Sequence, residues 1–212
     1  MALSLKAVIF DFDGTIANTY PVLKEILDEL MPQMGYKQFS ETEWQKFRET
    51  GTKELLKSTK ISLVKLMIMV KRMQSELNRR LSEVEPFEGI KEVTDQLKKR
   101  GIVVGIISSD TKKNILEFLN KEEMEVDCLM TGTNLFGKDK LINKYLKQRG
   151  LASNEVIYVG DEIRDVEACK RVGVKVAAVT WGFNSKEALK KSQPDYLVDR
   201  PKDLMTVVLQ SN

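Results

Sequence analysis

A chain of 212 residues, 31% of them charged and 42% hydrophobic, is long enough for one globular domain or one and a half. That composition excludes disorder, collagen and a disulfide-stapled miniprotein, and a formal charge of +3 from interspersed acids and bases is too small for a nucleic-acid footprint. The sequence contains no histidine, which removes Ser-His-Asp and Cys-His catalysis and HExxH zinc sites and leaves proton transfer to carboxylates, lysine, tyrosine, thiol or water.

In chain order, the apolar run from Lys6 to Phe10 predicts a strand buried on both faces. From Ile16 to about Val84 the pattern is helical. Val22, Ile26, Leu27 and Leu30 follow Pro21, and Trp44 and Phe47 follow a Ser40-Glu41-Thr42-Glu43 start. Leu63, Leu66, Met67, Val70, Met73, Leu77 and Leu81 form a long third face, and Pro86-Phe87-Glu88-Gly89 marks the return from this insert. Strand-type runs then recur at Ile102–Ile107, Val126–Met130, Val156–Val159 and Val174–Val179, with a shorter one at Tyr196–Val198. Between them lie helical faces at Ile90, Val93, Leu97; Ile115, Leu116, Leu119; Leu141, Ile142, Tyr145, Leu146; and Val166, Cys169, Val172, three of them stopped by Gly101, Gly150 and Gly173. The alternation predicts an α/β fold, a Rossmann-like parallel sheet with helices on both faces formed by residues 1–15 and 86–212. A small all-helical cap of residues 16–85 is inserted after the first strand.

Cys128 and Cys169 carry no ligand spacing and fit a reducing compartment. The longest apolar stretch, Leu66–Val70, is far short of the roughly 20 residues of a bilayer span. MALSLKAVIFDFDGT places Asp11 where a signal peptide would be apolar, so the expectation is a cytoplasmic protein without membrane or nucleic-acid partners, as monomer or homodimer.

Chemistry concentrates at the predicted strand ends. Asp11-Phe12-Asp13-Gly14-Thr15 follows the first strand, and alternation sends both carboxylates to one side. Such a pair either recruits a hard cation such as Mg²⁺ or is a turn in which Asp13 caps the next helix. Ser108, Ser109 and Asp110 end the second strand, where hydroxyls and free amides make an anion site or a plain N-cap. Gly160-Asp161-Glu162-Ile163-Arg164-Asp165 ends the fourth and places acids four apart on one helical face. Between them, Gly137-Lys138-Asp139-Lys140 offers a lysine able to hold a phosphate or simply to be solvated.

Taken together, DFDGT, IISS, FGKDK and GDEIRD stand in the order found in the haloacid dehalogenase superfamily, and the chain resembles its phosphatases from Lys6 through Asp165. The later VTWGF and PDYLVDRPKDL resemble the continuation in phosphoglycolate-phosphatase-like members, and the helical insert resembles the family's cap. The resemblance implies a Mg²⁺-dependent phosphomonoester hydrolase of small phosphorylated metabolites working through an aspartyl-phosphate. Asp11 would be the nucleophile and Asp13 the general acid and base. Metal would be held by Asp11, the Asp13 backbone carbonyl, Asp161 and Asp165, with Glu162 as a substitute. Thr15, Ser108 and Ser109 would bind substrate, and Lys138 would balance charge on Asp11 and the phosphoryl group, Lys140 being its alternative. A phosphosugar mutase of the same family and a non-catalytic phospho-ligand or partner-binding module are the other readings. For substrate choice in the cap, Met67, Met69 and Met73 read as core fillers, and Lys65, Lys71, Arg72, Arg79 and Arg80 as a solvated face or as contacts to a second anionic group. Trp181 reads as packing at a strand end.

Overall fold

The computed structural model describes residues 5–59, 61–132 and 137–211. Its strands are β1 (Ala7–Phe10), β2 (Val103–Ser108), β3 (Cys128–Thr131), β4 (Val156–Gly160), β5 (Lys175–Val179) and β6 (Tyr196–Val198). All pair in parallel, in the order β3-β2-β1-β4-β5-β6. Growth outward in both directions from β1 creates a switch point at its carboxyl end, where α/β sheets place their ligands. There Phe10 is in register with Ile106 of β2 and Val159 of β4.

Both faces of the sheet are covered, so the strands are apolar on both sides. Val8 and Phe10 belong to one core cluster with Val93, Leu97 and Phe118, while Ala7 and Ile9 belong to another with Ile142, Val166 and Cys169. The first cluster is closed by α4 (Ile90–Lys99), α5 (Lys112–Lys121) and α9 (Leu204–Gln210). The second is closed by α6 (Lys138–Arg149), α7 (Ile163–Val172) and α8 (Lys186–Lys191).

The insert is α1 (Tyr20–Gln33), α2 (Glu41–Thr59) and α3 (Leu63–Arg79). Pro21 lies in the first turn of α1. A reciprocal cap opens α2: the Ser40 amide donates to Glu43 Oε2, 2.8 Å, and the Glu43 amide to Ser40 Oγ, 3.3 Å. The two crossings between sheet and insert lie side by side, with Ala17 bridged to Asp13 and Pro86 and the Phe87 amide donating to the Ile16 carbonyl at 3.0 Å. Ile16 and Ala17 are fully buried in a core cluster that the sheet shares with Val22, Ile26 and Leu30 of α1.

Four expectations shift. β3 starts at Cys128 rather than Val126, because Asp127 completes the ladder with its side chain, its Oδ2 accepting from the Val104 amide at 2.8 Å. On α3 the inward face is Leu66, Met69, Val70, Met73 and Leu77, whereas Met67, one step around the helix, is 62% exposed. Phe118 replaces the exposed Leu116 on the inner face of α5. The N-cap of α5 is Thr111, whose hydroxyl accepts from the Asn114 amide, so neither Ser109 nor Asp110 is the cap. Phe136 of the lysine motif, the opening Met1 to Ser4 and the side chain of Leu63 lie outside the described residues.

Candidate active site

The carboxyl end of β1 delivers Asp11, buried, with Oδ1 accepting from the Phe12 amide at 2.8 Å and Oδ2 from Lys138 Nζ at 2.5 Å. Lys138 is the first residue of α6, and its buried ammonium also pairs with Asp165 and lies 5.5 Å from the centroid of the Tyr158 ring. Lys140 is exposed, so of the two lysines Lys138 faces the acids. Asp165 closes a cap at the start of α7, its Oδ2 accepting from the Glu162 amide at 3.1 Å.

Asp161 is fixed on both oxygens, Oδ1 by the Thr15 hydroxyl at 2.8 Å and Oδ2 by the Phe183 amide at 2.7 Å. Thr15, expected to touch substrate, therefore has its hydroxyl engaged by a neighbouring acid. Two glycines make room for that carboxylate. A Cβ at Gly14, where φ is 73°, or at Gly182 would overlap Asp161 Oδ2, and at Gly182 it would also strike the Gly14 carbonyl.

One ligand oxygen from each of Asp11, Asp161 and Asp165 lies within 4.8 Å of the other two. An all-oxygen, all-anionic donor set of this spacing suits a hard divalent cation. The Asp13 carboxyl is not in that triad; it lies on the cap side of Asp11. Its Oδ1 is buried without a hydrogen-bond partner among the described residues, as is Oδ2 of Asp110.

The electrostatics follow from crowding acids in a dry place. Burial, partly offset by Lys138, raises Asp11 to about 6. Burial, then Asp110 and Asp11, hold Asp13 well above the usual carboxylate range. Burial, then Glu162, Asp11 and Asp165, do the same to Asp161. Asp110 rises to about 6 by burial, against the Thr111 amide and Asn114. Burial alone would lower Lys138, but Asp11 and Asp165 outweigh it and keep the ammonium charged.

Ser108 sits at the end of β2, buried, its Oγ accepting from the Asp110 amide at 3.0 Å and so left with a proton to donate. Ser109 faces the cap, where Gln74 of α3 donates to its carbonyl at 3.0 Å. The cap is tied down at two further points. The chain kinks inside α2 at Gly51, φ 78°, just before Thr52 donates to Glu162 Oε2 at 2.8 Å. Buried Asn184 accepts from the Ile163 amide at 2.8 Å and donates to the Phe47 and Arg48 carbonyls at 3.3 and 3.1 Å.

Between cap and sheet a cavity of about 170 Å³ opens directly onto Asp13, Ser109 and Asp110. None of Lys65, Lys71, Arg72, Arg79 and Arg80 lines it, in line with a solvated face; Arg72 and Arg80, for instance, pair with Gln33 and with Glu25 and Glu83. Trp181 packs against Phe87 and donates to the Thr15 carbonyl at 3.2 Å, away from the cavity. Gln74, Thr52 and Asn184 are the residues that sequence reasoning missed as part of the site, and Asp110 was read there only beside the Ser108–Ser109 anion site or as an N-cap. Asn184 directly follows the quoted VTWGF, while Thr52 and Gln74 are brought in by the cap's docking angle.

Three carboxylates held together beside a buried ammonium, at the switch point of a parallel sheet, define an α/β protein with a candidate cation site. The family model for haloacid dehalogenase-like hydrolases matches residues 8–179. The chain belongs to this family, among its phosphatases. It is 32% identical over 208 residues to the phosphoglycolate phosphatase of Synechococcus elongatus, covering 97% of this chain and 98% of that protein. It is 23% identical over 215 residues to the pyrophosphatase PpaX of Bacillus cereus, covering 99% of each. The same fold occurs in a predicted phosphatase from Clostridium acetobutylicum, TM-score 0.85 at 17% identity, covering 98% of this chain and 99% of that one. Among the described residues no helix is long and apolar enough to cross a membrane.

Proposed function

We propose that the protein is a Mg²⁺-dependent phosphomonoester hydrolase of small phosphorylated metabolites in which Asp11 becomes transiently phosphorylated. The observation that carries the reading is the contact of Lys138 with both Asp11 and Asp165 beside an acidic triad, since an anionic nucleophile meets an anionic ester only where positive charge is already in place. Asp11, Asp161 and Asp165 would hold the metal, which supplies charge neutralisation for the phosphoryl oxygens.

In this scheme an Asp11 carboxylate oxygen bonds to phosphorus as the ester P–O bond breaks. Asp13, kept protonated by burial and by Asp110 and Asp11, gives its proton to the departing alkoxide. The Asp13 carboxylate then takes a proton from water, and the resulting hydroxide displaces phosphate from Asp11. Ser108 Oγ and the Ser109 amide bind the equatorial oxygens, and Lys138 holds Asp11 ionised. Thr15 acts by fixing Asp161. The S. elongatus relative makes 2-phosphoglycolate the first ester to assay.

The test is the leaving-group dependence of Asp13→Asn. Release of an alkoxide should fall by roughly 10²-fold or more, while release of 4-nitrophenolate, which needs little protonation, should fall much less. Equal losses for both would remove Asp13 from the proton-transfer role.

A further inference from the structure

The cavity above Asp13 has a largely apolar lining. Tyr20, Trp44, Phe47 and Phe183 form its aromatic wall, meeting edge to face at centroid separations of 5.3 to 6.3 Å. Leu66, Met69, Val70, Met73 and Leu77 of α3 form the wall opposite. Its lining carries three acids, Asp13, Asp110 and Glu162, and two cations that are already engaged, Arg164 by Glu162 at 2.5 Å and Lys24 by Glu41 at 2.9 Å. A carboxylate entering there would lie near Asp110 and Glu162 and would have to take a cation from its acid. An uncharged apolar body would cover greasy surface and face no such competition.

Resting on the hydrolase reading, we infer that the preferred substrates are phosphomonoesters of a small apolar alcohol, up to one ring in size, with the hydrocarbon in the cap cavity and the ester oxygen at Asp13. Volume sets the upper limit. An apolar cavity of roughly 150 Å³ accommodates benzene, and this one measures about 170 Å³. A single ring fits and a nucleoside does not. Each methylene buried in such a pocket changes kcat/KM by roughly tenfold or more, so a ring outweighs the small difference in reactivity between two alkoxide leaving groups.

The experiment compares benzyl phosphate, 2-phosphoglycolate and glycerol phosphate, all esters of aliphatic alcohols, with the Mg²⁺-loaded full chain. The expected result is a kcat/KM for benzyl phosphate at least tenfold above that for 2-phosphoglycolate. Val70→Phe, which fills the cavity, should lower or invert that ratio. Equal values, or a preference for phosphoglycolate, in a reaction that still requires Asp11 would overturn the inference and leave the hydrolase reading standing. No hydrolysis of any ester by the folded protein, or hydrolysis that survives Asp11→Asn, would overturn the hydrolase reading and the inference with it.

Discussion

The floor and the roof of this site are built on opposite principles. On the floor the metal-holding acids and the lysine are each fixed by at least two partners: Asp161 by Thr15 and Phe183, Lys138 by Asp11 and Asp165, Asp165 by Lys138 and the Glu162 amide. Moving one group there leaves another buried and unpaired. The roof is held by scattered polar contacts, among them those of Thr52, Gln74, Asn78 and Asn184, and its cavity wall is built largely of interchangeable apolar side chains. Chemistry that is the same for every ester sits where geometry is over-determined, and choice among esters sits where side chains are exchanged at little cost.

The largest effect that separates the two is loss of the nucleophile. Asp11→Asn should lower turnover by roughly 10⁴-fold or more, abolish acid-stable trapping of phosphate on the chain and keep the fold by circular dichroism. Substantial turnover in the folded variant would mean that the floor does not carry the reaction. Lys138→Met comes next. It leaves Asp11 and Asp165 without their cation, so turnover should drop by roughly 10²- to 10³-fold and stability by about 3–5 kcal/mol in denaturant titration. Exposed Lys140→Met is the control and should stay within about 0.5 kcal/mol of the parent.

Gly182→Ala probes the floor through a residue with no chemistry of its own. Its Cβ would displace Asp161 from the Phe183 amide, and the Gly14 carbonyl on the other side prevents the backbone from yielding. Divalent-cation affinity, measured by calorimetry, should weaken by roughly 10- to 100-fold. Unchanged affinity would take Asp161 out of the metal site.

This contrast also explains how much was legible in the sequence. The positions of Asp11, Ser108 and Asp161 were readable because strand ends fix each of them and the spacing survives in the chain as a motif, whereas Lys138 was readable only as one of two lysines with Lys140, and Asp165 only as one of two acids with Glu162. The sheet was readable because burial on both faces leaves continuous apolar runs. Thr15 stood inside a motif, yet its bond to Asp161 depends on how β1 and β4 approach and has no local signal. The cavity lining was hidden for a stronger reason. Val70 and Trp44 look like any core residues, and only the angle at which α2 and α3 dock turns their faces toward Asp13.

A smaller effect comes from the crowding itself. Asp11 and Asp110 have raised values near 6, with Asp13 and Asp161 raised further, so the native state binds protons more tightly than the unfolded chain. The resulting stabilisation is full below the ordinary carboxylate value of 3.8 and is lost as pH rises through about 6. In chelator, each of the two groups near 6 should cost about 1 kcal/mol between about pH 5 and pH 7.5, lowering Tm by a few degrees. A saturating divalent cation should remove the share of that slope that comes from Asp11, because it stabilises the ionised metal-holding acids, and leave the share of Asp110. A metal-free Tm that rises over this interval would show that the acids are not crowded as described.

The smallest effect tests whether cap closure is independent of ester choice. Thr52→Val keeps the shape of the side chain and removes its hydrogen bond to Glu162, which remains paired with Arg164. The loss should be about 1 kcal/mol, with Tm lower by roughly 2–4 °C. If Thr52 only holds the cap down, kcat/KM should fall by roughly fivefold for benzyl phosphate and 2-phosphoglycolate alike, because closure precedes any contact with the alcohol. A loss confined to one ester would put the Thr52 hydroxyl against the leaving group and move it from the latch into the selectivity of the roof.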